Sequence, residues 1–390
     1  MSKTLAQSES TTSTRVVPSR LADGGRSVLP VIDCDVHPMA SPLSPDIWKF
    51  LSDPTRQYLR LRGLPVNLLG PQIPQQRVFA HRLDSVPPNG TPGGDEAFAR
   101  AQLLDELDID AGILNSFGGL IDHGANYPIA VGVDLIRAYN EWLRESWLEK
   151  DSRWFAAICI TPEQPDEAVA EIARCVKAHE RFNQILLSTR IQQPIGNPRY
   201  WPILEAAEHF NLPLAFHVGG GSRSGPFTPS GSPNYYFEVH TGFVNPVYNL
   251  VSSLIFEGAL ERFPKTKIVM AELAWSWAAP FAWRLDASWR VLRDEVPHLR
   301  RKPSEYLAEH FWFTTQPMEE PENPKVFAQI YEQFENAGLH DRLMYSSDYP
   351  HWDFDAPEAL PAWLPESTRR KILGGNASQL YGIPVHDSSR

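Results

Sequence analysis

The chain is poor in cysteine. Only Cys34, Cys159 and Cys175 occur among 390 residues, and no two of them form a CxxC pair. A disulfide framework and a cysteine-based zinc module are thereby excluded, and a reducing compartment fits. Long apolar runs are also missing. Nothing approaches the roughly 20 apolar residues that span a bilayer, and the most apolar stretch, Asn249 to Leu260, is interrupted by Ser252, Ser253, Glu257 and Gly258. Positive charge is in deficit, with 36 Lys and Arg against 47 Asp and Glu, a net charge of −11. A surface of that sign disfavours nucleic acid and anionic membrane as partners. The N-terminal residues, MSKTLAQSESTTSTR, lack the apolar core of a secretory signal, so a cytoplasmic location is expected. What the chain does have is hydrophobic content of 42% and 35 prolines. The first supports a sizeable core, and the second suits many loops between short elements.

Eight short apolar runs recur along the chain: Val28–Cys34, Ala111–Asn115, Trp154–Ile160, Gln184–Ser188, Leu212–Phe216, Lys267–Ala271, His310–Thr314 and Arg342–Ser346. Several show no polar alternation, as expected of parallel strands buried on both faces. Helical patterns lie between them at Asp166–His179, Pro202–Phe210, Asn245–Phe263 and Pro280–Val296. This alternation predicts an α/β protein, specifically a (β/α)8 TIM barrel. The rival is an open doubly wound sheet, but Asp33 to Ala40 contains no glycine for a phosphate-binding turn. Residues 1–28 read as a flexible tail, 29–385 as the barrel and 386–390 as a second tail. The segment from about 39 to 96, rich in Pro and Gly, breaks the barrel rhythm. It reads as an insertion after the first strand, either covering the barrel mouth or forming a surface elaboration or oligomer contact.

Chemistry in such barrels sits at the C-terminal ends of the strands, and metal-type side chains recur there. Strand one ends in Asp35-Val36-His37, whose first and last residues point to one side of an extended chain. Strand five runs into His217, strand six into Glu272 and strand eight into Asp348. Each has an ordinary structural explanation, such as a cap, a core histidine or a salt bridge from Glu272 to Arg284. Together they place Asp35, His37, His217, Glu272 and Asp348 at one end of four strands, which predicts a metal site.

These residues resemble the amidohydrolase superfamily, in particular its amidohydrolase-related group that includes aminocarboxymuconate-semialdehyde-decarboxylase-like enzymes. The resemblance runs from about Val31 to Ile383. It is carried by IDCDVHP at Ile32–Pro38, LPLAFHVGGG at Leu212–Gly221, LIFEGALERFPKTKIVMAE at Leu254–Glu272, SSDYPHWD at Ser346–Asp353 and ILGGNASQLYGI at Ile372–Ile383. It implies that the first-strand metal pair is Asp35 and His37, that His217 is the fifth-strand ligand, and that Asp348 is the eighth-strand ligand and general base. Two positions depart from the pattern: Asp35 stands where the family has His, and Glu272 where it frequently has His. Strand four ends in Ser188-Thr189-Arg190, without a lysine to bridge two metals.

The resemblance implies a metal-dependent hydrolase-type barrel acting on a small organic acid or amide. The reaction is either hydrolysis of a C–N or C–O bond or non-oxidative decarboxylation. One divalent metal, zinc in the first instance with manganese or iron as alternatives, is expected on Asp35, His37, His217 and Asp348, with Asp348, His217 and Glu272 as catalytic residues. Glu272, His240 and His351 are candidates for a second metal or for substrate. A second metal would suit a non-haem iron or manganese oxygenase on the same scaffold. A third reading is a subunit that holds metal without turnover. Trp275, Trp277 and Trp352, with Arg82, Tyr235, Tyr236, His240 and His351, are candidates for the mouth, and a planar substrate would fit them. The expected partners are a small-molecule substrate and further copies of the chain, with a heteromeric partner as the alternative. His123 sits in a loop that the pattern does not place.

Overall fold

The computed structural model describes residues 30–41, 43–63, 80–88, 90–116, 118, 127–219, 231 and 233–384. The predicted tails at 1–28 and 386–390, and His123, lie outside them. Eight strands follow in chain order around one sheet: β1 Ile32–Val36, β2 Ala111–Leu114, β3 Trp154–Cys159, β4 Phe182–Ser188, β5 Leu214–His217, β6 Ile268–Ala271, β7 Phe311–Thr314 and β8 Leu343–Met344. Every neighbouring pair is parallel. Between β8 and β1 the wall is closed by Cys34 N–H donating to Tyr345 O (3.0 Å), His37 N–H to Tyr349 O (2.8 Å) and Asp348 N–H to Asp35 O (3.1 Å). The expected (β/α)8 barrel is borne out. The strands are buried almost throughout, which is why they read as apolar runs.

Helices cover the outside. Pro165–Ala178 and Trp201–Phe210 fall where the periodicity places them. The helix expected over Asn245–Phe263 is two helices, Val247–Phe256 and Ala259–Arg262. Gly258 breaks it with φ 77°, a left-handed conformation open to glycine at little cost. The helix expected over Pro280–Val296 starts at Ala278 and ends at Leu292, followed by a tight turn at Arg293–Glu295. Helix Ile129–Leu143, which the pattern reading does not mark, packs its buried residues against the barrel. No helix among the described residues is long and apolar enough to cross a membrane.

The insertion is described only in part. Helices Pro45–Trp48 and Asp53–Arg62 rest against helix Ile129–Leu143, on the flank of the barrel. Two other stretches reach the rim. His81 bridges His351 as an antiparallel pair, and Ala80 O accepts the N–H of Trp352 at 2.7 Å. Gly93 sits directly on the end of β1. A Cβ there would lie 2.3 Å from His37 O, and the residue has φ 68°. Both space and backbone conformation demand glycine. Gly93→Ala should therefore lower stability by about 1–3 kcal/mol and displace His37. The check is thermal unfolding alongside a metal titration, with loss of metal affinity exceeding what the stability change explains.

Candidate metal centre

Four strand ends meet at one point. β1 carries Asp35, His37 follows it directly, β5 ends in His217, Glu272 follows β6 directly, and Asp348 stands in the turn after β8. Asp35, His37, His217, Glu272 and Asp348 are all buried, and one ligating atom from each lies within 4.8 Å of the others. His37 Nε2 is 2.8 Å from Asp348 Oδ1 and 3.3 Å from Asp35 Oδ1. His217 Nε2 is 3.1 Å from Glu272 Oε2 and 3.3 Å from Asp35 Oδ2. Glu272 thus faces His217, and no ion pair joins it to Arg284 among the described residues.

The backbone is bent to achieve this. Glu272 has φ 52° and Asp348 φ 60°, a region that costs non-glycine residues about 1–3 kcal/mol each. The turns are held by polar contacts. Glu272 N–H donates to Thr314 Oγ1 at 3.0 Å. Ser347 N–H and Oγ donate to the two oxygens of Asp33 at 2.9 and 2.5 Å. Asp33 is fully buried, and that burial pushes its carboxyl up to about 7 against the pull of Ser347. It ties the base of β1 to the turn that presents Asp348.

The two imidazoles are oriented as metal ligands are. His37 Nδ1 lies 2.9 Å from Asn115 O and His217 Nδ1 2.8 Å from Val218 O. A carbonyl can only accept, so each Nδ1 carries the hydrogen, and in the neutral ring Nε2 is left as a lone pair facing the cluster. Asp35 is held by Asn115 Nδ2 at 2.8 Å, Asn115 by Gln184 Nε2 at 2.8 Å, and Gln184 in turn accepts from Tyr381 Oη at 2.8 Å. Asn115, Gln184 and Tyr381 are not in the sequence-based candidate set. Their only sequence signal is polarity within or beside apolar runs.

Asp35 Oδ2, His217 Nε2, Glu272 Oε2 and Asp348 Oδ2 are buried and make no well-formed hydrogen bond among the described residues. Buried polar atoms are ordinarily satisfied, and three carboxylates in one pocket repel one another. A divalent cation answers both, so the donor set fits one. With protons alone the site is strongly perturbed. Burial opposes charge on His37, but Asp35 and Asp348 outweigh it and raise its pKa to about 9. His217 is driven up in the same way by Asp35 and Glu272. Burial lifts Asp348 to about 7 despite His37. The Glu272 carboxyl is also raised by burial, and by Asp348.

The remaining candidates separate. His351 is hydrogen-bonded through Nδ1 to Asp348 Oδ1 at 2.7 Å and lies beside His37, with ring centroids 4.8 Å apart. Burial and His37 lower its pKa to about 4. His240 stands outside the five-residue cluster and pairs with Asp353, Nε2 to Oδ2 2.8 Å. A cavity of about 280 Å³ opens at the rim, lined by Ala80, His81, Tyr236, Phe237, His240, Thr241 and Trp352. Of the aromatic residues expected at the mouth, Tyr236 and Trp352 line it. Tyr235 is exposed beside it, and Arg82 is pinned by Asp84 over the ring of Phe354. Trp275 is instead a core residue, packed against Phe327, Tyr331 and Phe334. Trp277 packs on Phe281 and Phe313. Neither ring lines the cavity.

The amidohydrolase family model matches residues 32–383. A gamma-resorcylate decarboxylase from Polaromonas sp. (strain JS666) is 23% identical over 305 residues, covering 73% of this chain and 86% of that protein. An amidohydrolase structure from Mycobacterium avium subsp. paratuberculosis K-10 superimposes with TM-score 0.69 at 19% identity, covering 91% of this chain and 98% of the other. Dihydroxybenzoic acid decarboxylase from Polaromonas sp. JS666, solved with bound manganese and the inhibitor 2-nitroresorcinol, gives TM-score 0.61 at 20% identity, covering 93% and 100%. At these identities the solved structures establish the shared fold.

Proposed function

We propose, from the premise that this chain belongs to the amidohydrolase family of metal-dependent enzymes, that it removes the carboxyl group of a small planar aromatic or enoic acid without an oxidant. The observation that carries this reading is the single buried cluster of Asp35, His37, His217, Glu272 and Asp348. Asp35, His37, His217 and Asp348 would hold one divalent cation, and Glu272 is left over as a buried acid beside it. The presence of three carboxylates suits manganese as well as zinc, and a solved neighbour with bound manganese supports that choice. A divalent cation held by these four residues would supply Lewis acidity toward the oxygen atoms of an acidic substrate.

The chain's own groups then have defined tasks. Asn115 and the two backbone carbonyls fix Asp35, His37 and His217, so the substrate meets a preset surface. The carbon that bears the carboxyl group first takes a proton, which Glu272 at Oε2 or Asp348 at Oδ2 is placed to supply. The bond from that carbon to the carboxyl carbon then breaks, its electron pair returns to the conjugated π system of the substrate, and carbon dioxide departs. His351, bonded to Asp348, is the route by which Asp348 is reprotonated. The aromatic residues at the rim suit a planar acid. Similarity to a gamma-resorcylate decarboxylase supports the reaction class.

The test is carbon dioxide release from a panel of hydroxybenzoic acids by manganese- or zinc-loaded protein under argon. Stoichiometric release with formation of the matching phenol is the expected result. Release of an amine or alcohol from amide or ester substrates instead would establish hydrolysis. Turnover only in the presence of dioxygen would establish an oxygenase.

A further inference from the structure

The cavity at the rim contains a polar pair that the chemistry above does not use. His240 lies on the short helix Tyr236–Thr241, and its Nε2 is 2.8 Å from Asp353 Oδ2. Asp353 is anchored from the other side by Gln316, whose Nε2 donates to the same oxygen at 2.7 Å. Asp353 is therefore fixed, and it fixes the imidazole. The ring is packed between Tyr236 (centroids 5.9 Å), Phe243 (5.1 Å) and Trp352 (5.3 Å). One ring nitrogen is committed to Asp353. The other, Nδ1, has no hydrogen-bond partner among the described residues, and the residue lines the cavity. Burial works against a charged ring here, but Asp353 outweighs it and holds the pKa above the ordinary histidine value. Glu272 and Asp348 add to the same effect.

One wall of the cavity is linked to the metal centre by packed rings, His81 against His351 (centroids 5.4 Å) and His351 against His37 (4.8 Å). His81 on that wall pairs with His351, and His351 is bonded to Asp348. A planar acid gripped at the cluster by its carboxylate would extend its far edge toward Trp352, Tyr236 and His240. The geometry points to His240, oriented by Asp353 and Gln316, as the specificity residue whose Nδ1 makes a hydrogen bond with a second oxygen substituent on the substrate, remote from its carboxylate. The substrate class is then a planar acid bearing a hydroxyl or phenolate oxygen at its far edge. The inference rests on the reading of the site as one for planar acids. It assigns His240 binding and positioning, with no part in breaking the carbon–carbon bond.

The experiment measures binding to manganese-loaded protein by calorimetry, with benzoate, 3-hydroxybenzoate and 4-hydroxybenzoate as ligands. The 2-hydroxy isomer is left out because its hydroxyl would chelate the cation. One added hydrogen bond of about 1 kcal/mol predicts that at least one hydroxylated acid binds about fivefold tighter than benzoate. In His240→Phe, which keeps a ring packed beside Trp352, that ratio should fall to near one. In His240→Gln and Asp353→Asn it should fall to an intermediate value. The ratio is taken on folded protein of matched metal content, so a general loss of affinity does not count. No preference in the parent protein, or a preference retained in His240→Phe and His240→Gln, overturns the assignment. If the preference follows His240 but no acid loses carbon dioxide, the assignment stands and the decarboxylase reading falls.

Discussion

Asp348→Asn should lower kcat by about three orders of magnitude and leave the fold intact. Three properties of the site combine in that expectation. Asparagine has nearly the volume of aspartate and is among the residues that tolerate positive φ, so the 60° backbone at this position survives the change. The variant cannot ionise, so its amide can neither balance a cation as a carboxylate does nor hold a transferable proton. General acid–base groups typically contribute 10²–10⁴-fold, and the lost ligand adds to this. The contact with His351 at 2.7 Å would persist as a neutral hydrogen bond, which is why the structural cost is small. Unchanged thermal unfolding with lost turnover and weakened metal binding is the expected pattern. Retained turnover at matched metal occupancy would remove Asp348 from the reaction.

The barrel was legible because its strands are buried on both faces, so their residues appear as short unbroken apolar runs. WFAAIC and IVMA, which became β3 and β6, are examples. Asp35 and His37 were legible as a pair because a strand repeats every two residues. His217 and Glu272 were legible because each directly follows such a run, and Asp348 because it comes two residues after one. What was hidden depends on contacts between distant parts of the chain. Gln184 reaches Asn115 across 69 positions and Tyr381 across 197, and no local pattern marks either. Nor does any local pattern tell which way an aromatic ring faces. Trp275 and Trp352 both follow a strand, yet one is packed inside against Phe334 and the other lies more than half exposed at the cavity. The break at Gly258 was concealed because apolar residues continue on both sides of it.

Removing the metal should destabilise the protein as well as silence it, and the loss should grow with pH. Without a cation, Asp35, Glu272 and Asp348 share a buried pocket, and only protons on the imidazoles and carboxyls offset their repulsion. His37 is held charged up to about pH 9, above its unfolded value near 6.5. A base whose folded pKa is raised lends stability that is complete below the unfolded value and is lost as pH climbs toward the folded one. His217, raised in the same direction, adds to this. The chelated protein should therefore weaken steadily from about pH 6.5 to about pH 9. Cation binding needs neutral imidazoles and ionised carboxylates, so the stability it contributes rises over the same window. At a free metal concentration of 100 times Kd the stabilisation is about 2.7 kcal/mol, or roughly 3 °C in unfolding midpoint for a chain of this length. Thermal scans of chelated and manganese-restored protein should show that gap, wider at the alkaline end. A gap that narrows with pH would mean that the cation, if one binds, is not replacing protons on these five residues.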